Sequence, residues 1–124
     1  MSNIRSKNTK AELVVFQYLH RQNVYFQKHY KKAPGNPDIA LPRKKKAVFI
    51  DGDFWHARDY RKTVKRIPDG YWKEKIKRNR QRDRIIFNQL RREGWEVVRV
   101  WESDIIRKRT RDTELEKIKK FLTE

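Results

Sequence analysis

The residues of this chain that could do chemistry gather between positions 34 and 56. Pro34-Gly35-Asn36-Pro37-Asp38 leads into a short apolar stretch and a basic turn. Ala47-Val48-Phe49-Ile50-Asp51-Gly52-Asp53-Phe54-Trp55-His56 follows. Two short strands joined by a tight turn would carry Asp38, Asp51, Asp53 and His56 at their ends. Carboxylates collected at strand ends, in a strongly basic chain, imply a hydrated divalent cation facing a phosphate.

Each candidate has an ordinary reading beside the chemical one. Asp38 follows Pro37, whose ring fixes the backbone where a strand begins, and it is the candidate for direct metal ligation. An Asp after a Pro-Gly bend also satisfies turn amides. Asp51 closes an apolar run, where a charge is costly unless it is paired or metal-bound. If the strand persists, Asp51 and Asp53 point to opposite faces, so Asp51 is favoured as a ligand and Asp53 reads as a loop residue capping local amides. His56 is the histidine best suited to proton transfer, with an ordinary pKa near neutrality. His20 and His29 read as helix-face and strand-face residues without a chemical role. Phe54, Trp55 and Trp72 are either core or groups that stack on bases.

The elements that must position these residues follow from periodicity. Thr9-Lys10-Ala11-Glu12 is a capping box, and the helix it opens runs from about 9 to 22 with Leu13, Phe16 and Leu19 at helical spacing. Strands are expected at 24–30, 38–41 and 47–51, the last a continuous apolar run that implies burial on both faces. Residues 52–68 read as irregular. A long helix then opens at Asp69 or Gly70 and ends near Glu93, with Gly94 at the position after its cap. A strand at 95–101 and a helix at 113–122 complete the order α-β-β-β-α-β-α. This is an α/β chain with a central mixed four-stranded sheet flanked by helices. The expectation is one domain over residues 1–124, with 1–8 a loose arm.

Composition limits the partners. Lys and Arg number 33 against 16 Asp and Glu, a formal charge of +17 spread along the chain, which favours a polyanion. Lys44 and Lys45 in the turn, and Lys73, Lys77 and Arg80 on the long helix, are the candidate phosphate contacts. Asn79 and Asp83 fall on that helix's apolar stripe and need polar partners. No apolar run reaches the roughly 20 residues of a membrane span. The chain has no cysteine, which removes disulfides and thiolate zinc sites and fits the cytoplasm or nucleoid.

Several stretches together resemble the very-short-patch-repair (Vsr) endonucleases, relatives of the PD-(D/E)xK nucleases with a restriction-endonuclease-like core. They are Ile4 to Glu12, Pro34 to Asp38, Phe54-Trp55-His56, Tyr71 to Ile76 with Asn79 and Arg82-Asp83, and Gly94 to Glu102. The resemblance implies a Mg²⁺-dependent enzyme, with Mn²⁺ as a substitute, that nicks one strand of double-stranded DNA at T:G mismatches. It implies Asp38 and the Ile50 backbone carbonyl as metal ligands, His56 as a catalytic histidine and Glu12 as a supporting carboxylate. It also implies Phe54, Trp55 and Trp72 as the wedge that opens the mismatch. Two departures stand out. Asp51 replaces a family histidine and becomes a candidate second ligand or base. Asp53, Arg58, Tyr60 and Ser103 occupy what look like the family's structural zinc positions, so no structural zinc is expected. A homing or restriction-type nuclease with this core, and a basic DNA-binding module without activity, are the alternatives.

Overall fold

The computed structural model describes residues 9–53, 58, 65 and 70–124. Helix α1 (Lys10–Arg21) leads into β1 (Gln27–Lys28), β2 (Ile39–Leu41) and β3 (Lys46–Asp51). Helix α2 (Tyr71–Arg92), β4 (Glu96–Trp101), a short α3 (Glu102–Ile106) and α4 (Lys108–Thr123) follow. The strands form one mixed sheet in the order β1-β2-β3-β4. β1–β2 and β2–β3 are antiparallel, and β3–β4 is parallel with Ile50 opposite Val100.

Alternation along the strands sorts the core into two layers. Ile39, Leu41, Val48, Ile50 and Val100 meet Val15, Phe16 and Leu19 of α1 and Leu115, Ile118 and Leu122 of α4. Ala47 and Phe49 point the other way, toward Leu90, Ile86 and Phe87 of α2. β3 is buried along its whole length, as its uninterrupted apolar sequence requires.

Local rules explain the ends of the helices. The Thr9 hydroxyl accepts from the Glu12 amide and the Glu12 carboxylate accepts from the Thr9 amide, both at 3.2 Å, closing the capping box. Helix α2 ends in a Schellman motif. The Trp95 amide reaches the Leu90 carbonyl at 2.9 Å and the Gly94 amide the Arg91 carbonyl at 3.0 Å, with Gly94 at φ +92°.

The structure corrects three boundaries. The aromatic strand expected at 24–30 shortens to two residues, because His29 adopts φ +48° and turns the chain out of the extended conformation. Helix α4 begins at Lys108 rather than 113, and α3 precedes it. Residues 108–112 are too polar to show an apolar period, yet Arg111 donates to the carbonyls of Ile105 and Ile106 at 2.8 and 2.6 Å, tying the two helices together. Among the described residues no helix is long and apolar enough to cross a membrane.

Candidate active site

Asp38 sits where the Pro37 turn enters β2, almost wholly buried, and its Oδ2 accepts from the Ile50 amide at 2.7 Å. The carboxylate therefore bridges two strands beyond the last regular β2–β3 pair. The Ile50 amide points to the β2 side, where it meets Asp38, and in a strand the amide and carbonyl of one residue face the same side. The backbone oxygen expected to share a metal with Asp38 thus lies on the side of β3 that Asp38 occupies.

Glu12 reaches the same place from α1. It is 1% exposed although it occupies the capping-box position, so the helix cap and the site share one carboxylate. Between them stands His29, whose Nε2 lies 3.8 Å from Glu12 Oε1 and whose Nδ1 lies 3.9 Å from Asp38 Oδ1. Ligand atoms of Glu12, His29 and Asp38 all fall within 4.8 Å of one another. Two buried carboxylates and an imidazole form a donor set suited to a divalent cation. The His29 amide donates to the Asp38 carbonyl at 2.9 Å, and the Phe16 ring meets the imidazole edge-on with centroids 5.8 Å apart. Sequence reasoning gave His29 no role; the structure brings it between these two carboxylates. The signal was present in the hairpin, because residues 29 and 38 flank one turn and must lie side by side once it closes.

Asp51 is buried as expected but stands apart from this trio. It shares the face of Ala47 and Phe49, on the α2 side of the sheet, and accepts from Arg99 Nε at 2.9 Å. Arg99 also bonds Asp83 of α2, and its guanidinium lies 4.7 and 4.8 Å from the ring centres of Phe87 and Trp101. Asp83, one of the two polar residues on the apolar stripe of α2, therefore has its partner, supplied by a strand residue that the sequence did not single out.

Three of the positions compared with zinc ligands, Asp53, Arg58 and Ser103, are joined by hydrogen bonds. Asp53 accepts from the Ser103 amide at 3.1 Å and its hydroxyl at 2.6 Å, and Arg58 links Asp53 at 3.4 Å to Asp104 at 2.8 Å. Burial raises the Asp53 pKa, but the Ser103 bonds and the Arg58 charge outweigh it and hold the group below the ordinary 3.8. Asp53 is thus a tie between the end of β3 and α3, more than the local cap expected of it.

The basic turn is placed elsewhere. Asp38 and Asp51 mark one end of the β2–β3 hairpin and residues 42–45 the other, a strand's length of about 17–20 Å away. Lys45 Nζ donates to the Glu93 carbonyl at 2.9 Å, Lys44 to that of Leu122 at 3.2 Å, and Lys46 to that of Phe121 at 2.6 Å. These cations satisfy the last carbonyls of α2 and α4 and complement their dipoles. Lys44 and Lys45 therefore bond helix ends at the end of the hairpin away from Asp38. Trp72 is 49% exposed at the start of α2, edge-on to the exposed Tyr71 with centroids 4.9 Å apart. Lys73 and Arg80 are half-buried and Lys77 exposed on the same helix. His56, Phe54, Trp55 and Tyr60 lie outside the described residues.

The sequence is similar to those of known proteins. The sequence model of the family described as DNA mismatch endonuclease Vsr matches residues 1–62. A type II nicking enzyme of Neisseria meningitidis serogroup C is 34% identical over 112 residues, covering 89% of this chain and 76% of the relative. One from Xanthomonas oryzae pv. oryzae is 38% identical over 108 residues, covering 85% and 78%. The DNA mismatch endonuclease Vsr of Escherichia coli is 32% identical over 103 residues, covering 82% and 66%. With its mixed sheet and its acidic cluster at the strand ends, the chain belongs to the Vsr family and is a DNA endonuclease.

Proposed function

We propose that this enzyme nicks one strand of double-stranded DNA in a Mg²⁺-dependent reaction and favours T:G mismatches, acting in the cytoplasm where the nucleoid lies. The observation that carries the reading is the buried Asp38 carboxylate, anchored on the Ile50 amide and faced by Glu12. Negative groups so placed in a chain of +17 are wasteful unless a cation joins them. Asp38, Glu12 and the Ile50 carbonyl fit a hard divalent ion. When bound, Mg²⁺ offsets the charge that builds on the phosphate and the leaving oxygen.

The protein's own groups do the rest. Asp38 is held in place by a backbone donor on the buried central strand, so its carboxylate keeps its direction. His56 orients or deprotonates the attacking water, and the product carries a 5′ phosphate. Asp51 is a further ligand or base, available only when Arg99 releases it. Lys73, Lys77 and Arg80 on α2 grip the backbone. The exposed Trp72 joins Phe54 and Trp55 in opening the duplex.

Nicking of a T:G duplex and its T:A control, with and without Mg²⁺, tests the reading. Asp38→Asn is expected to lower Mg²⁺-dependent nicking by about a hundred-fold or more while duplex binding stays near wild type. Wild-type rates in that variant would refute the metal assignment, and equal nicking of both duplexes would remove the mismatch preference.

A further inference from the structure

We propose that His29 is a ligand of the divalent cation, completing a Glu12–His29–Asp38 set on the α1 side of the site. This rests on the endonuclease reading above and adds an imidazole to its oxygen ligands.

Three independent observations converge on His29. Its ring stands between two carboxylates that are each 1% exposed, Nε2 toward Glu12 and Nδ1 toward Asp38. Nε2 is shielded from solvent and makes no hydrogen bond, an uncommon state for a buried polar nitrogen. The backbone at His29 takes φ +48°, a conformation that costs a side-chain-bearing residue free energy and persists where the surroundings demand it. That twist ends β1 and keeps the ring beside Asp38. The backbone bond from His29 to the Asp38 carbonyl then fixes ligand to ligand across the turn.

The distances agree with a site that closes on an ion. Bonds of about 2.1 Å allow two ligands at most about 4.2 Å apart. An imidazole gives one ion one nitrogen, and with one ligand atom from each residue the trio lies within 4.8 Å, so binding needs the set to draw in by about 0.6 Å at most.

The chemistry sets the preference. Mg²⁺ takes oxygen ligands, whereas imidazole favours later divalent metals. His29 should therefore tighten binding of Mn²⁺ more than of Mg²⁺.

The test uses the whole chain without DNA. Calorimetry measures Mn²⁺ and Mg²⁺ binding to wild type, His29→Gln and Asp38→Asn, and the electron spin echo of bound Mn²⁺ reports nitrogen coupling. His29→Gln is expected to weaken Mn²⁺ about ten-fold or more, to abolish the nitrogen modulation, and to affect Mg²⁺ less. His29→Asn, which tolerates positive φ, serves the same comparison if the Gln variant does not fold. Unchanged Mn²⁺ affinity and retained modulation in a folded His29 variant, with binding lost in Asp38→Asn, would overturn the His29 assignment alone. Full binding in Asp38→Asn would overturn the Asp38-centred reading itself.

Discussion

At the scale of single residues, the site divides its carboxylates between the two faces of the sheet. Glu12 and Asp38 keep His29 between them, while Asp51 and Asp83 share Arg99. The second arrangement is vulnerable at its centre. Removing Arg99 leaves two acids without their shared cation, one of them only 2% exposed at the side chain. Arg99→Met is expected to destabilise the fold by about 3 kcal/mol, measured by urea unfolding at neutral pH. Asp51→Asn, which removes one acid and leaves the pair with Asp83, should cost less. The opposite ranking would show that Arg99 acts mainly through its packing on Phe87 and Trp101.

At the scale of elements, the turn that presents Asp38 is pressed against α2. Gly35 adopts φ +78°, and a Cβ there would lie 2.6 Å from Ile86 Cγ2 and 3.2 Å from the Phe49 ring. Gly35→Ala is expected to cost about 1–3 kcal/mol, read as a lowered urea midpoint. Adding Ile86→Ala should return part of that loss, because the clash goes while the backbone strain stays. Strict additivity in this double-mutant cycle would refute the contact. The same elements show what could be read from the chain. The capping box, the Pro37-Asp38 entry and the Gly94 stop are local, so Glu12, Asp38 and the end of α2 were legible. His29 read as an ordinary strand position, because the positive φ that takes it out of the strand leaves no mark in the residue types, and only the closed hairpin brings it beside Asp38. The roles of Lys44, Lys45 and Lys46 were hidden for another reason. Their partners lie 48 to 80 residues away, and a charge run looks alike whether it meets phosphate or a helix end.

At the scale of the molecule, the charge of +17 does two jobs. Some cations close helices and others are proposed to meet DNA, and salt separates the two. Each phosphate neutralised contributes about −0.9 to the slope of log affinity against log salt. Lys77→Gln, on the exposed face of α2, is expected to flatten that slope by about one contact. Lys45→Gln should leave the slope unchanged and lower thermal stability instead. Equal slopes for Lys77→Gln and wild type, in fluorescence anisotropy across a salt series, would remove α2 from the DNA-binding surface.

The parallel pairing of β3 with β4 has a consequence for how the enzyme comes into being. Lys46 lies opposite Glu96, so the strand that anchors Asp38 waits for a neighbour made fifty positions later. Until that neighbour leaves the ribosome, β3 has an open edge and long-range closure has yet to occur. A nascent chain carries Glu12, His29 and Asp38 well before it can hold them in register, and its capacity to cut DNA arrives late in synthesis, together with the fold.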